Sequence, residues 1–149
     1  MQISTTRFGF LTVQPGDVIN FPLGILGLDD CRRWILFADS ENEALAWLQS
    51  TSHPEVALAV VNPRRFVPNF QLRVSRYDME PLELEHLKDA EVLAIVGRQG
   101  DTMTLNLKAP LVVNLPRQLG RQVIAKCDAP LQHVLTPLSS TSKGWKRVA

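Results

Sequence analysis

Asn106-Leu107-Lys108-Ala109-Pro110-Leu111-Val112-Val113-Asn114 is the stretch that decides the fold. It reads as a strand that ends at Pro110 and a second strand that starts there. Apolar residues fill alternate positions, as in strands with one buried face. An asparagine stands at each end. Proline removes one ladder donor, so the break implies a corner that Asn106 and Asn114 can satisfy by bonding to backbone. The stretch holds no nucleophile, no histidine and no paired carboxylates, which leans the chain towards a binding scaffold.

On the N-terminal side, Thr102-Met103-Thr104-Leu105-Asn106-Leu107 alternates cleanly. Met103, Leu105 and Leu107 are expected to face in, with the threonines and Asn106 facing out. Arg98-Gln99-Gly100-Asp101 is the hairpin turn leading into it, after a buried strand over residues 92–96. On the C-terminal side, Gly120 leads to a last strand, Val123-Ile124-Ala125.

The rest of the chain repeats this grammar of short strands and turns. An opening hairpin runs from Ile3 to Val13, followed by the turn Gln14-Pro15-Gly16-Asp17 and the strand from Val18 to Phe21. Further strands are expected over 34–38, 44–50, 56–61 and 70–74. Phe21-Pro22-Leu23-Gly24-Ile25-Leu26-Gly27-Leu28 holds too many glycines for a helix and too many large apolar residues for a solvated loop. It is expected to be irregular coil packed on the core. Asp29 is placed to cap one helical turn over 30–33. Pro81 is placed to open a short helix that carries Leu84 and Leu87 inward. Leu131, Val134 and Leu138 recur at helical spacing between Pro130 and Pro137. The expectation is a mostly β, single-domain antiparallel β-barrel-like fold of about ten short strands with one or two short helices. The domain spans 1–138, and 139–149 reads as a polar and basic tail carrying Trp145.

Composition fits this reading. The chain has 149 residues, one domain's worth, with 45% hydrophobic and 21% charged residues and a net charge of +1. That balance gives no global field to gather nucleic acid or anionic membrane. Cys31 and Cys127 form no C-x-x-C pair and read as small buried hydrophobes. The N-terminus lacks the pattern of a signal peptide, so a cytoplasmic location is expected.

Sites of chemistry are scarce. His53, His86 and His133 share no ligand spacing, and no serine lies in a G-x-S-x-G context. No metal site, cofactor or catalytic residue is expected. Arg64, Arg65 and Arg73 near Phe66 and Phe70 make at most a weak RNA-binding composition. From Arg76 to Glu91 the chain is acidic: Asp78, Glu80, Glu83, Glu85, Asp89 and Glu91 stand against Arg76 and Lys88. This is either a solvated face or a patch for a basic partner.

Several of these stretches, in order, resemble the flagellar assembly factor family, the FliW proteins. The matching residues are Phe21 to Leu28, Trp47-Leu48-Gln49-Ser50, Val60-Val61-Asn62-Pro63, Asn106 to Asn114 and Gly120-Arg121-Gln122-Val123, together with the opening hairpin and its Gly9. The resemblance runs from about Met1 to Leu138. It departs at Leu28, where the family usually has Phe, and is loose from Val74 to Glu91. It implies a cytoplasmic, non-enzymatic barrel-like protein, a monomer when free, that binds flagellin before export. It also implies binding to the translational repressor CsrA, which couples flagellin translation to secretion in the manner of a regulatory chaperone. Asp78, Glu80, Glu83 and Glu85 are the residues expected to meet CsrA. Ile25, Leu26 and Leu28 are expected to supply an apolar contact. The alternative is a small β-barrel binding a flavin-like cofactor, as a carrier or an enzyme.

Overall fold

The computed structural model describes residues 1–126 and the backbone of 133–134. Among the described residues there are ten strands: β1 (Gln2–Thr5), β2 (Gly9–Thr12), β3 (Val18–Asn20), β4 (Arg33–Ala38), β5 (Leu45–Ser50), β6 (Ala57–Val61), β7 (Ala90–Gln99), β8 (Thr102–Asn114), β9 (Leu119–Gln122) and β10 (His133–Val134). β1 and β2 pair only with each other. In the main sheet β8, β7, β6, β5, β4, β3 and β9 are neighbours in that order, and β9 pairs back onto β8. Seven strands therefore close a barrel, and closure covers most sheet edges, though thinly at β6–β7 and β3–β9. Among the described residues all pairings between strands are antiparallel except a single parallel bridge, Asn20↔Leu119, between β3 and β9. β10 adds to the other end of β8, opposite Leu105 and Thr104.

The barrel interior is filled by Ile19, Phe21, Trp34, Leu48, Val60, Leu93, Leu111 and Val113. Its outside is clothed in three places. The β1–β2 hairpin lays Ile3, Leu11 and Val13 over Val18 and Ile35. Phe8 and the 62–70 segment cover Leu45, Trp47, Val61, Leu105 and Leu107. Segment 72–84 lays Leu72, Val74, Met79, Leu82 and Leu84 over Val112 and Val123. β4 thus buries both faces, as its continuous apolar run requires.

The 106–114 stretch differs from its expected form. It is one strand, not two, because Pro110 lies in a bulge and not at a strand end. Leu93 pairs with Leu111, yet Ile95 pairs with Asn106. Residues 107–110 thus stand opposite Ala94 alone. The three extra residues reverse the side-chain alternation. Leu111 and Val113 point into the barrel, whereas Leu105 and Leu107 point out, under the 62–70 segment. The partner face of the first half carries Thr104, which is buried and not solvent-facing. Asn106 Oδ1 holds the corner by accepting from Lys108 N–H (3.1 Å) and Ala109 N–H (3.0 Å). Asn114 Nδ2 donates to Leu82 O (2.8 Å), tying the barrel to the outer segment.

Other elements also depart from expectation. Residues 70–74 form no strand. Their alternation serves to seat Leu72 and Val74 on a sheet face, without ladder bonds. The helical turn over 30–33 is absent: Cys31 N–H closes a turn onto Leu28 O, and Arg33 already begins β4. The helix α1 spans Arg76–Met79, capped by Ser75 Oγ, and Pro81 falls in a 3-10 turn, Glu80–Leu82. That turn buries Leu82, while Leu84 is half-buried and Leu87 is exposed. The last barrel strand ends at Gln122. Residues 123–125 run on as coil, with Val123 N–H donating to Pro110 O and Ala125 N–H to Lys108 O. The helix expected between Pro130 and Pro137 is contradicted at His133–Val134, which are extended. Leu131, Leu138, Cys127 and the tail with Trp145 lie outside the described residues.

Candidate interaction surface

The acidic run forms a ledge beside β9, and the structure supplies it with arginines from elsewhere in the sequence. Arg121, on β9, donates to Asp78 O (2.8 Å) and lies 3.5 Å from the Asp78 carboxylate, both side chains being largely buried. Arg117, in the turn before β9, stands 3.6 Å from Glu83 and 4.0 Å from Glu85. These last two pairs are exposed and long, so solvent screens them heavily. Glu80 has no ion pair among the described residues. The ledge is therefore not a bare anionic field. Asp78 is committed to the fold, whereas Glu80, Glu83 and Glu85 face solvent.

The apolar loop divides in the same way. Ile25 is 2% exposed and fills the barrel core, so it is not available to a partner. Leu28 packs half-buried against the same core. Leu26 is 83% exposed. Its N–H donates to Gln122 Oε1 (2.8 Å), and Gln122 Nε2 donates on to Ala109 O (3.1 Å). Consecutive β9 residues thus hold both groups: Arg121 takes the acidic ledge and Gln122 takes the loop. Gly120, just before them, has its Cα against the Phe21 ring, leaving no room for a side chain. Around this junction stand further exposed apolar groups, Tyr77 on α1 and Ile124 past β9. Sequence reading missed Arg117, Arg121, Tyr77 and Ile124 as surface components. The stretch Gly120 to Val123 was its nearest signal.

Elsewhere the polar groups serve the fold. Arg64 is turned back, its Nε donating to Phe70 O (3.2 Å), which leaves less for an RNA backbone. Asp39 accepts from Trp47 Nε1 (2.9 Å) and from the backbone of Glu41 and Asn42. Burial pushes its carboxyl up, but these three donors outweigh burial and hold it below the usual carboxylate range. Arg7 lies 4.8 Å over the Trp47 ring, and Phe8 meets Trp47 and Phe37 edge-on at 5.2 and 4.9 Å. Cys31 Sγ is 3.5 Å from His53 Nδ1, which also meets Ser52 Oγ at 2.8 Å. Cys31 is buried, whereas His53 is half-buried and Ser52 exposed. Among the described residues no group of three or more His, Cys, Asp or Glu is placed to hold a metal ion, and no helix is long and apolar enough to cross a membrane.

Comparison with known proteins gives a consistent picture. The family model described as "FliW protein" matches residues 2–135. A flagellar assembly factor FliW from Bdellovibrio bacteriovorus is 40% identical over 126 residues, covering 83% of this chain and 72% of that protein. One from Desulfitobacterium hafniense strain Y51 is 34% identical over 152 residues, covering 98% of this chain and all of that protein. A crystal structure of the flagellar assembly factor FliW superimposes with a TM-score of 0.84 at 26% identity, covering 92% of this chain and 98% of that one.

Proposed function

Because this chain belongs to the FliW family, we propose that it is a flagellar assembly factor that acts by binding, not by catalysis. Its partners in this reading are flagellin before export and the translational regulator CsrA, which compete for it in the cytoplasm. Family membership carries the assembly role. The observation that supports a binding mode is β9 itself, whose Arg121 holds the solvent-facing acidic ledge and whose Gln122 holds the loop that exposes Leu26. Glu80, Glu83 and Glu85 would meet a basic surface on CsrA, with Asp78 fixing the ledge in place. Such charges steer the encounter and add specificity more than raw affinity. Leu26, with Leu28 behind it, would take an apolar contact, and Ile25 would hold the loop in shape.

The test is size-exclusion chromatography of the purified protein with CsrA, and separately with flagellin, from its own organism. A complex with each is expected at tens of micromolar. Glu80→Lys with Glu85→Lys should weaken the CsrA complex at least about tenfold, ~1.4 kcal/mol, with a smaller effect at high salt. Leu26→Ser should weaken binding of the partner that uses the loop. Absence of a complex with either protein would sink the reading.

A further inference from the structure

β6 and β7 pair at two positions only, Val60↔Ile95 and Val61↔Ala94. Both strands run on past that point. Ala57–Ala59 stay extended through pairing with β5, opposite Gln49, Leu48 and Trp47. Val96–Gln99 stay extended through pairing with β8, opposite Leu105 to Thr102. The seam's register, carried forward, sets Ala59 against Val96, Leu58 against Gly97 and Ala57 against Arg98. None of these residues is proline, so every one has a donor to offer. Three are alanine or glycine, so side chains do not hold the edges apart. Of the facing residues, Ala57, Leu58, Ala59, Val96 and Gly97 are only half-buried, and among the described residues ladder partners for their seam edges are lacking. A strand edge in that position gains by pairing.

We propose that the β7–β8 hairpin beyond the Ile95↔Asn106 pair, residues 96–105, is a flap that zips onto β6 and releases from it, with the bulge next to that pair as its hinge. Residues 107–110 break the ladder opposite Ala94, and Pro110 has no N–H to restore it. The hinge has a fixed base: Pro110 O and Lys108 O accept from Val123 and Ala125 N–H, and the ladder beyond Leu93↔Leu111 is regular. On the flap side, β10 is bonded to Thr104 and Leu105 and travels with it. The flap guards one end of the barrel. There the inward-facing Leu36, Ala46, Leu58 and Ile95 are half-buried, whereas Trp34, Leu48, Val60 and Leu111, deeper in, are fully covered. Zipping closes this apolar mouth and release presents it, so the barrel carries a two-state element at the low-stability end of its structure.

Two measurements on the full chain test this. The first is residue-resolved amide hydrogen exchange on the unmodified protein. The seam-facing amides in 57–59 and 96–99 should be protected at least tenfold less than those of Val60, Val61, Ala94 and Ile95, yet at least tenfold more than those of the 39–43 loop. Loop-like exchange would mean a static split, and exchange as slow as at Val60 a permanent seam; either overturns the flap. The second is cross-linking. Zipping brings facing Cα atoms to about 4.5–5.5 Å, within disulfide range. Ala59→Cys with Val96→Cys should link under mild oxidation, identified by mass of the joined peptides. Ala57→Cys with Val96→Cys, two residues out of register, should not. A folded Ala59/Val96 cysteine pair that stays reduced, or equal linking of both pairs, would overturn the proposal.

Discussion

Single contacts in this chain are often decided by residues distant in sequence. Gly120 shows it most sharply: a Cβ there would lie 2.4 Å from the buried Phe21 ring. Gly120→Ala forces that ring or the β9 backbone to move. A loss of about 2–3 kcal/mol is expected, read by urea denaturation; an unchanged midpoint would show that the ring yields freely. Asp39 gives a pH signature. Its folded pKa is depressed, so its contribution is present above the unfolded value, about 3.9, and is lost as pH falls through the folded value. Asp39→Asn should flatten that acid limb of stability. Asp39→Ala, which leaves Trp47 Nε1 without its acceptor, should cost about 1–3 kcal/mol at neutral pH. Asn106 was legible as a corner-fixing group, because a proline in a ladder creates a known local need, but Asn114, expected at the same corner, instead ties the barrel to Leu82 on the outer segment. The ledge was legible only by half. Its acids form one run in the sequence, but Arg117 and Arg121 come from 32 to 43 residues further on, and nothing local announces them. Likewise no local rule says that Ile25 turns inward while Leu26 turns out.

Strands were read well because their alternation and turns are local properties, and turn residues such as Gly100, at φ 63°, stand where they are needed. What alternation does not reveal is which side of a sheet a face meets. Met103, Leu105, Leu107, Leu111 and Val113 share one parity, yet the bulge assigns them to two different cores. Residues 70–74 alternate equally well and join no ladder, since a second layer outside the barrel rewards the same pattern. The hairpin β1–β2 is another outer element. It is held by its own ladder, by Thr6 N–H to Pro54 O, and by Phe8 lodged between Phe37 and Trp47. Phe8→Ala should cost about 1–3 kcal/mol, less than the 3–5 of a fully buried ring. It should also shift Trp47 fluorescence to the red as the hairpin loosens. Emission that stays unchanged would mean the hairpin is anchored elsewhere.

Taken whole, the molecule is two well-laddered half-sheets, β3–β6 and β7–β9, joined along thin seams. One seam is the β6–β7 junction with its two pairs. The other is the lone bridge between β3 and β9. Gln118 reinforces the second: in left-handed conformation at φ 56°, its side chain donates to Pro15 O and Val18 O, and its own O accepts from Asn20 N–H. Gln118→Ala should therefore loosen closure while sparing both half-sheets. Stopped-flow measurements should show faster unfolding and a folding arm that hardly moves, as for contacts made after the transition state. A slowed folding arm would place the seam in the nucleus instead. Gln118 and Val18 lie 100 residues apart in the chain. A growing polypeptide leaving the ribosome thus cannot complete the barrel until about residue 122 has emerged. Until then β3 waits with one edge unpaired, and the β9 junction that unites ledge and loop does not exist. Any partner that recognises that junction is blind to the nascent chain and meets only the finished protein.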